Sequence, residues 1–380
     1  MYDAVIAGGG PAGSRVAALL AREHDVLVLE EHGESGLPVQ CAGFVTGDVL
    51  KLSGVNPDIL STVFGAEVVF PDGTSVTVRS KEPKAFTIDR HQMDSRMADA
   101  AMSAGAEFSF GERYLSHSVS DDVHVRSAVS EYRSRAVIGA DGHTSRVAES
   151  FPRNGPGEFL RGIQADVSVR MEHDDLFRAH LGSEWAPGFF TWEIPCGDYT
   201  RVGLCTSWSA GPPMPYLRRL LRSIGAEDKV IGMHCGKIPI GVRPHIAGNR
   251  CMLVGDAAGQ VKPVSAGGLY PGLSAAGILA DTLSGALSCG DLSDRMLSRY
   301  PKVFDDMLGS ELGRGRRLRS MLLRMDDGDL NAAGAYASRD DVRSVLDDLE
   351  IDRPSAVVGR IMRRPRAMLA AIPLAMRCLF

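Results

Sequence analysis

The sequence is poor in the residues that mark metal-binding and extracellular proteins. Its seven cysteines are irregularly spaced and form no C-x-x-C pair, which argues against a zinc site and against a secreted disulfide framework. The histidines are scattered without ligand spacing and read as surface or capping residues. Positive charge is not in excess, and a net charge of −5 gives no footprint for a nucleic acid. No basic stretch precedes the opening "MYDAVIAGGG", so no signal peptide is expected. No apolar run reaches about 18 residues, so no spanning helix is expected either. These absences point to a reduced, cytoplasmic setting. A chain of 380 residues suits two closely joined domains.

Glycine is plentiful, with 42 residues concentrated at 8–13, 33–54, 225–290 and 309–315. Such clustering marks backbone that must approach something closely. In "DAVIAGGGPAGSRVAALLAREHDVLVLEE", an apolar strand (Ala4–Ala7) leads into a glycine turn, a helix and a second strand (Val26–Leu29). Gly8, Gly10 and Gly13 form G-x-G-x-x-G: the first allows the tight turn, the second the approach of a pyrophosphate, the third close helix packing. The helix N-terminus then offers free N–H groups to phosphate. Glu30, seventeen residues after Gly13, stands where a carboxylate accepts the hydroxyls of an adenosine ribose. The nucleotide at this point is NAD or FAD.

Two later segments favour a flavin. "AVIGADGHTSRVA" (136–148) is a buried strand followed by Asp141-Gly142. "CMLVGDAAGQVKPVSAGGLYPGLSAAGILADTL" (251–283) is a strand, then Gly255-Asp256, then Gly267-Gly268 and a long helix of small residues. Asp256 can accept from a ribityl chain, and a helix starting near Gly268–Leu269 can face the pyrimidine ring, where negative charge gathers on reduction. An N-cap role for Asp256 is the plainer reading.

These three segments resemble the glutathione-reductase-type flavoproteins, in the branch shared by aromatic hydroxylases, flavin halogenases and geranylgeranyl reductases. Within it the chain is most similar to the archaeal geranylgeranyl reductase family. That narrower likeness rests on "PVQCAGF" (38–44), "FTIDRHQMDSRMADAA" (86–101) and "FFTWEIP…VGLC" (189–205). Phe190, Ile194 and Cys205 depart from that family's tyrosine, phenylalanine and second glycine, and Ala42 and Ala266 each replace a glycine. The resemblance implies an α/β fold: a p-hydroxybenzoate-hydroxylase-like FAD-binding Rossmann domain, an antiparallel-sheet substrate domain and C-terminal helices. The FAD-binding part is expected from 1–60, 84–155 and 245–295, the substrate sheet from 61–83 and 156–244, and the helical region from 296–380. "FPDGT" reads as a hairpin turn within the substrate sheet.

From the residues and the resemblance together, the expected cofactor-binding set is Gly8, Gly10, Ala12, Gly13, Glu30, Cys41, Ala42, Phe44, Arg90, Leu115, Asp141, Asp256, Gly267, Gly268 and Leu269. Phe190, Trp192, Ile194 and Pro195 are the expected substrate wall. The implied activity is saturation of isolated C=C bonds in geranylgeranyl chains of a prenyl lipid or prenyl diphosphate. Such an alkene has no carbonyl to draw off charge, so hydride delivery must be matched by a proton in a dry cavity. Cys41, or a water it positions, is the candidate proton relay, and Trp192 the π face for the developing cation. The plainer readings are a buried free thiol and simple packing. A redox disulfide of Cys41 would require Cys196 or Cys205 to approach in space.

No second G-x-G-x-x-G is present, so NAD(P)H, ferredoxin or a reduced deazaflavin remain open as electron donors. The arginine-bearing, acid-free tail 359–380 suits an anionic lipid surface, and therefore the inner membrane face. A terminal helix packed on the protein is the other reading. The competing functions are a flavin monooxygenase or halogenase and a redox-sensing flavoprotein without turnover.

Overall fold

The last four residues of the first strand, Tyr2–Ala7, are buried, as expected of an inner strand of a parallel sheet covered on both faces. In the computed structural model, which describes residues 1–151, 155–347, 350–353 and 355–364, this strand is central to an eight-stranded sheet. It pairs in parallel with Val26–Glu30 on one side and Glu131–Gly139 on the other. Glu107–Phe110 and Cys251–Leu253 extend the parallel order outward. The first strand begins two residues before the sequence reading, and Glu30 ends the second, as expected. The helix Pro11–Leu20 packs between the helices Arg90–Ser103 and Leu269–Cys289.

A second, seven-stranded sheet has the order Val230–Ile240, Glu158–Val167, Tyr199–Ser207, Thr191–Cys196, Leu176–His180, Gly65–Val69 and Ser75–Arg79. The last two strands form the hairpin around "FPDGT". Ile59–Val63 runs across the expected boundary at residue 60 and does not join this sheet. It pairs instead with Ala85–Ile88, which also pairs with Phe44–Val45, in a small three-stranded sheet beside the first domain. Residues 156–244 are not strand throughout. Met214–Ser223 is a helix, because Leu217, Leu220 and Leu221 recur at helical spacing and bury one face on the large sheet.

The described residues from Asp294 to Met362 form helices joined by short turns. The expected lipid-binding tail falls mainly on 365–380, outside the described residues. Uninterrupted apolar runs understated one element: Leu269–Cys289 is long and apolar enough to cross a membrane by length and composition. Over half of its most apolar window is buried, and Ala276, Leu279 and Leu283 belong to the core of the eight-stranded sheet.

A C-terminal residue fixes the turn at Gly255-Asp256. Tyr300 is fully buried; its hydroxyl donates to Leu253 O (2.8 Å) and accepts from Gln260 Nε2 (2.7 Å). Gln260 Oε1 in turn accepts from Gly255 N (2.8 Å). Tyr300→Phe leaves these buried groups short of a partner and should cost about 1–3 kcal/mol in urea unfolding. An unchanged midpoint would show that the chain of bonds does not hold the turn.

Candidate functional site

The glycine turn is set by collisions that any side chain would create. A Cβ at Gly13 would lie 2.0 Å from Gly8 O, so the helix can rest on the strand end only through glycine. Gly8 has φ +100, and its Cβ would meet Ala140 O at 2.4 Å. Its constraint is thus the neighbouring strand end as well as the turn itself. At Gly10 a Cβ would meet nothing within 4 Å, so this face opens onto the cavity. The helix after it begins with Pro11, has no side-chain cap and carries no acid in its first turn. Its free N–H groups suit an anion.

A continuous cavity of about 910 Å³ runs from this turn to the face of the seven-stranded sheet. Of the expected residues, Gly8, Gly10, Ala12, Glu30, Cys41, Ala42, Phe44, Arg90, Asp141, Asp256, Gly267, Gly268, Leu269, Phe190, Trp192 and Ile194 line it. Gly13, Leu115 and Pro195 do not. Gly13 serves packing. Tyr114 and Arg113 line the cavity beside Leu115, and Pro195 falls out of the alternation by which positions 190, 192 and 194 share one face of their strand. His143 and His234 also line the cavity, contrary to their reading as surface or capping residues.

Glu30 is buried; its Oε2 accepts from Gly9 N (2.7 Å), and its Oε1 meets both His32 N (3.0 Å) and the His32 ring (2.7 Å). The backbone of the glycine turn therefore aims this carboxylate into the cavity. Asp141 accepts from Arg146 N (2.7 Å) and Val147 N (3.2 Å), yet its Oδ1 is buried with no partner. Burial pushes the Asp141 carboxyl upward against these hydrogen bonds. The helix Leu269–Cys289 starts from Gly268 with neither side-chain cap nor acid in its first turn. Ala266, in the place of a glycine, sits at φ 56, a conformation that costs an alanine about 1–2 kcal/mol. An unpartnered carboxylate oxygen, an open slot over Gly10 and two uncapped helix starts fit the hydroxyls, phosphates and ring of FAD.

Cys41 lies between the two halves of the cavity. On the flavin side it lies within electrostatic reach of the guanidinium of Arg90, which is buried and holds Asp94 at 2.8 Å. Burial works against the Arg90 charge, but Asp94 and Cys41 outweigh it and hold its pKa above the ordinary value. Arg90 thus reaches the cavity through this pair. On the sheet side, Gln164 Nε2 donates to Cys41 O (3.3 Å) and Arg201 Nη1 to Ala42 O (2.8 Å). Sequence reading missed both residues, because a Gln and an Arg inside strands carry no motif. Cys41, Cys196 and Cys205 are free thiols; Cys205 lines the cavity and Cys196 does not.

The sheet wall is apolar. Phe189 and Phe190 stack with centroids 4.3 Å apart. A Cβ at Gly203 would lie 2.6 Å from the Trp192 ring, so the glycine of "VGLC" provides the indole's seat. Trp192 Nε1 is buried without a partner.

Two outcomes test the cofactor half. Gly10→Ala should fold and lose FAD affinity, whereas Gly13→Ala should lose the fold of the turn itself; equal FAD titrations for Gly10→Ala and the parent would refute the phosphate slot. Burial raises Asp256 from 3.8 to about 6, with Arg90 pulling the other way. Its folded pKa exceeds the unfolded one, so its contribution to stability is complete below about 3.8 and lost as pH rises through about 6. The shift corresponds to about 3 kcal/mol. Asp256→Asn, stripped of flavin, should therefore melt higher than the parent at pH 8, with the gap closing toward pH 4, while binding FAD more weakly.

Comparison with known proteins identifies the family. Residues 1–187 match the FAD binding domain family. The digeranylgeranylglycerophospholipid reductase of Methanothrix thermoacetophila is 31% identical, the match covering 87% of this chain and 89% of that one. Its counterpart in Methanocella arvoryzae is 28% identical over 87% and 90%. Among solved structures, a geranylgeranyl bacteriochlorophyll reductase-like protein of Thermoplasma acidophilum superposes with a TM-score of 0.84 at 22% identity, covering 98% of this chain and 99% of that one. Halogenase PltM in complex with phloroglucinol and FAD gives 0.69 at 16% identity, over 95% and 86%. The last two establish a shared flavoprotein fold. Identity above 30% along nearly the whole of both chains carries the narrower conclusion: this chain belongs to the digeranylgeranylglycerophospholipid reductase family of FAD-binding proteins.

Proposed function

We propose that this chain is an FAD-dependent reductase that saturates isolated double bonds in the geranylgeranyl chains of a membrane lipid or its precursor. The observation that carries this reading is the continuity of the cavity. One chamber joins the flavin-side residues Arg90 and Asp256 to the apolar wall of Phe190, Trp192 and Ile194, with Cys41 between them. Bound FAD, once reduced, supplies hydride at N5.

The protein's own groups supply the rest. The apolar wall excludes water from the alkene and holds the prenyl chain by dispersion and burial. Cys41 gives a proton to the less substituted alkene carbon as positive charge gathers on the tertiary carbon. The residue is half-buried, so the thiol regains a proton from solvent along the same loop. Trp192 steadies the cation with its ring face, worth roughly 0.5–2 kcal/mol. The Arg90–Asp94 pair holds the thiol from the flavin side. Electrons arrive from a visiting donor, NAD(P)H, ferredoxin or a reduced deazaflavin, and the reaction belongs at the cytoplasmic face of a membrane.

The test is anaerobic. Protein reduced with dithionite should be reoxidised by a digeranylgeranyl glycerophospholipid, with the lipid gaining one H₂ per bond in its mass spectrum. No reoxidation by any prenyl lipid, or a hydroxylated or halogenated aromatic product under oxygen, would overturn it. Cys41→Ser should keep the flavin spectrum and the KM for lipid while lowering kcat by about 10²–10⁴.

A further inference from the structure

The loop that carries Cys41 forms neither helix nor strand from Glu31 to Gly43. Its backbone is held from outside, and the sheet provides two of the holding groups. Gln164 reaches the carbonyl of Cys41 and Arg201 the carbonyl of Ala42. Arg201 is itself fixed: Nε and Nη2 donate to the two oxygens of Asp166 at 2.7 and 3.0 Å, and Nη2 also lies 3.1 Å from Tyr199 Oη. Asp166 and Arg201 face each other across adjacent strands. Only 7% of the arginine side chain and 13% of the aspartate are exposed.

A buried ion pair is weak support for a fold, since matched apolar residues commonly serve as well. What this pair does that an apolar pair could not is aim a third N–H at Ala42. A guanidinium presents five donors in a rigid fork, so it can grip a carboxylate with one edge and a carbonyl with another. A lysine, a point charge on a flexible stem, cannot hold both directions at once. The loop has no room to slide beneath the arginine. A Cβ at Gly43 would lie 3.3 Å from Arg201 Nη1 and 2.5 Å from Ile88 O.

We infer that Arg201, braced by Asp166, is a positioning residue that, together with Gln164, sets where the Cys41 thiol stands in the cavity. The inference rests on the reading of Cys41 as the proton-delivering group. Arg201 touches neither flavin nor alkene in this role; it acts through the backbone of the loop.

The experiment uses full-length, flavin-loaded protein. Iodoacetamide alkylation of Cys41 is followed by peptide mass, with exposed Cys289 as internal reference. In Arg201→Met the Cys41 rate should change about tenfold and that of Cys289 not at all, while kcat for prenyl-lipid reduction falls roughly 10- to 100-fold at unchanged KM. Guanidinium ion added to Arg201→Ala should reverse part of both changes. An unchanged Cys41 rate, or no rescue, overturns the inference. Should Arg201→Met fail to fold, Gln164→Met and Arg201→Lys carry the same comparison. Alkylation needs no lipid turnover, so a shifted Cys41 rate in a protein that reduces no prenyl lipid would sink the proposed substrate and leave the clamp standing.

Discussion

Steric closeness around one coreless loop governs this molecule. Between Gly36 and Gly43 the chain has no packed interior of its own, and neighbouring elements press against both of its ends. A Cβ at Gly36 would lie 2.9 Å from that of Asp94, and one at Gly43 would strike Ile88 O. Gly236, across the large sheet, leaves 3.4 Å to Gln40 Oε1 for a Cβ it lacks. The helix Arg90–Ser103, the small sheet and the large sheet therefore meet at this loop. Fixing it in place brings a thiol, the Arg90 guanidinium and an apolar wall to one chamber, with Arg201 gripping the loop from behind.

Charge buried in and around that chamber is costly and is kept under control by pairing. Arg90 is matched by Asp94, and Arg201 by Asp166. Asp256 has no such close match, and burial lifts it toward neutrality. Asp141 has one buried oxygen without a partner. Groups left in this state destabilise an empty fold and become useful when hydroxyls or phosphates reach them, which is why perturbed carboxylates gather at sites. The buried Tyr300 shows that the C-terminal helices serve the same end, since its hydroxyl anchors the strand that delivers Asp256.

The fold is shared with proteins of other chemistry, the halogenases among them, so architecture alone does not decide the reaction. Chemistry is decided at the junction. The nucleotide half of the cavity could serve any flavin enzyme of this type. The sheet half, with stacked phenylalanines and an indole seated on Gly203, presents apolar surface to whatever the flavin reduces.

The sequence by itself determined the nucleotide half. Glycine spacing, an acid at the end of the second strand and a later strand–Gly-Asp–helix unit are local patterns, and each is read over a few adjacent residues. The placing of Phe190, Trp192 and Ile194 on one wall follows from strand alternation in the same way, and Pro195 was misassigned by ignoring it. Gln164, Asp166 and Arg201 had no signal to give, because their meaning depends on partners 35 to 159 residues away. The strand Ile59–Val63 and the helix Met214–Ser223 were mislaid for a related reason: short-range pattern does not say which sheet edge a strand will join, nor that a few leucines will close over one. Only tertiary structure decided those matters, since hydrogen bonds and packing across distant segments are settled by the whole fold at once.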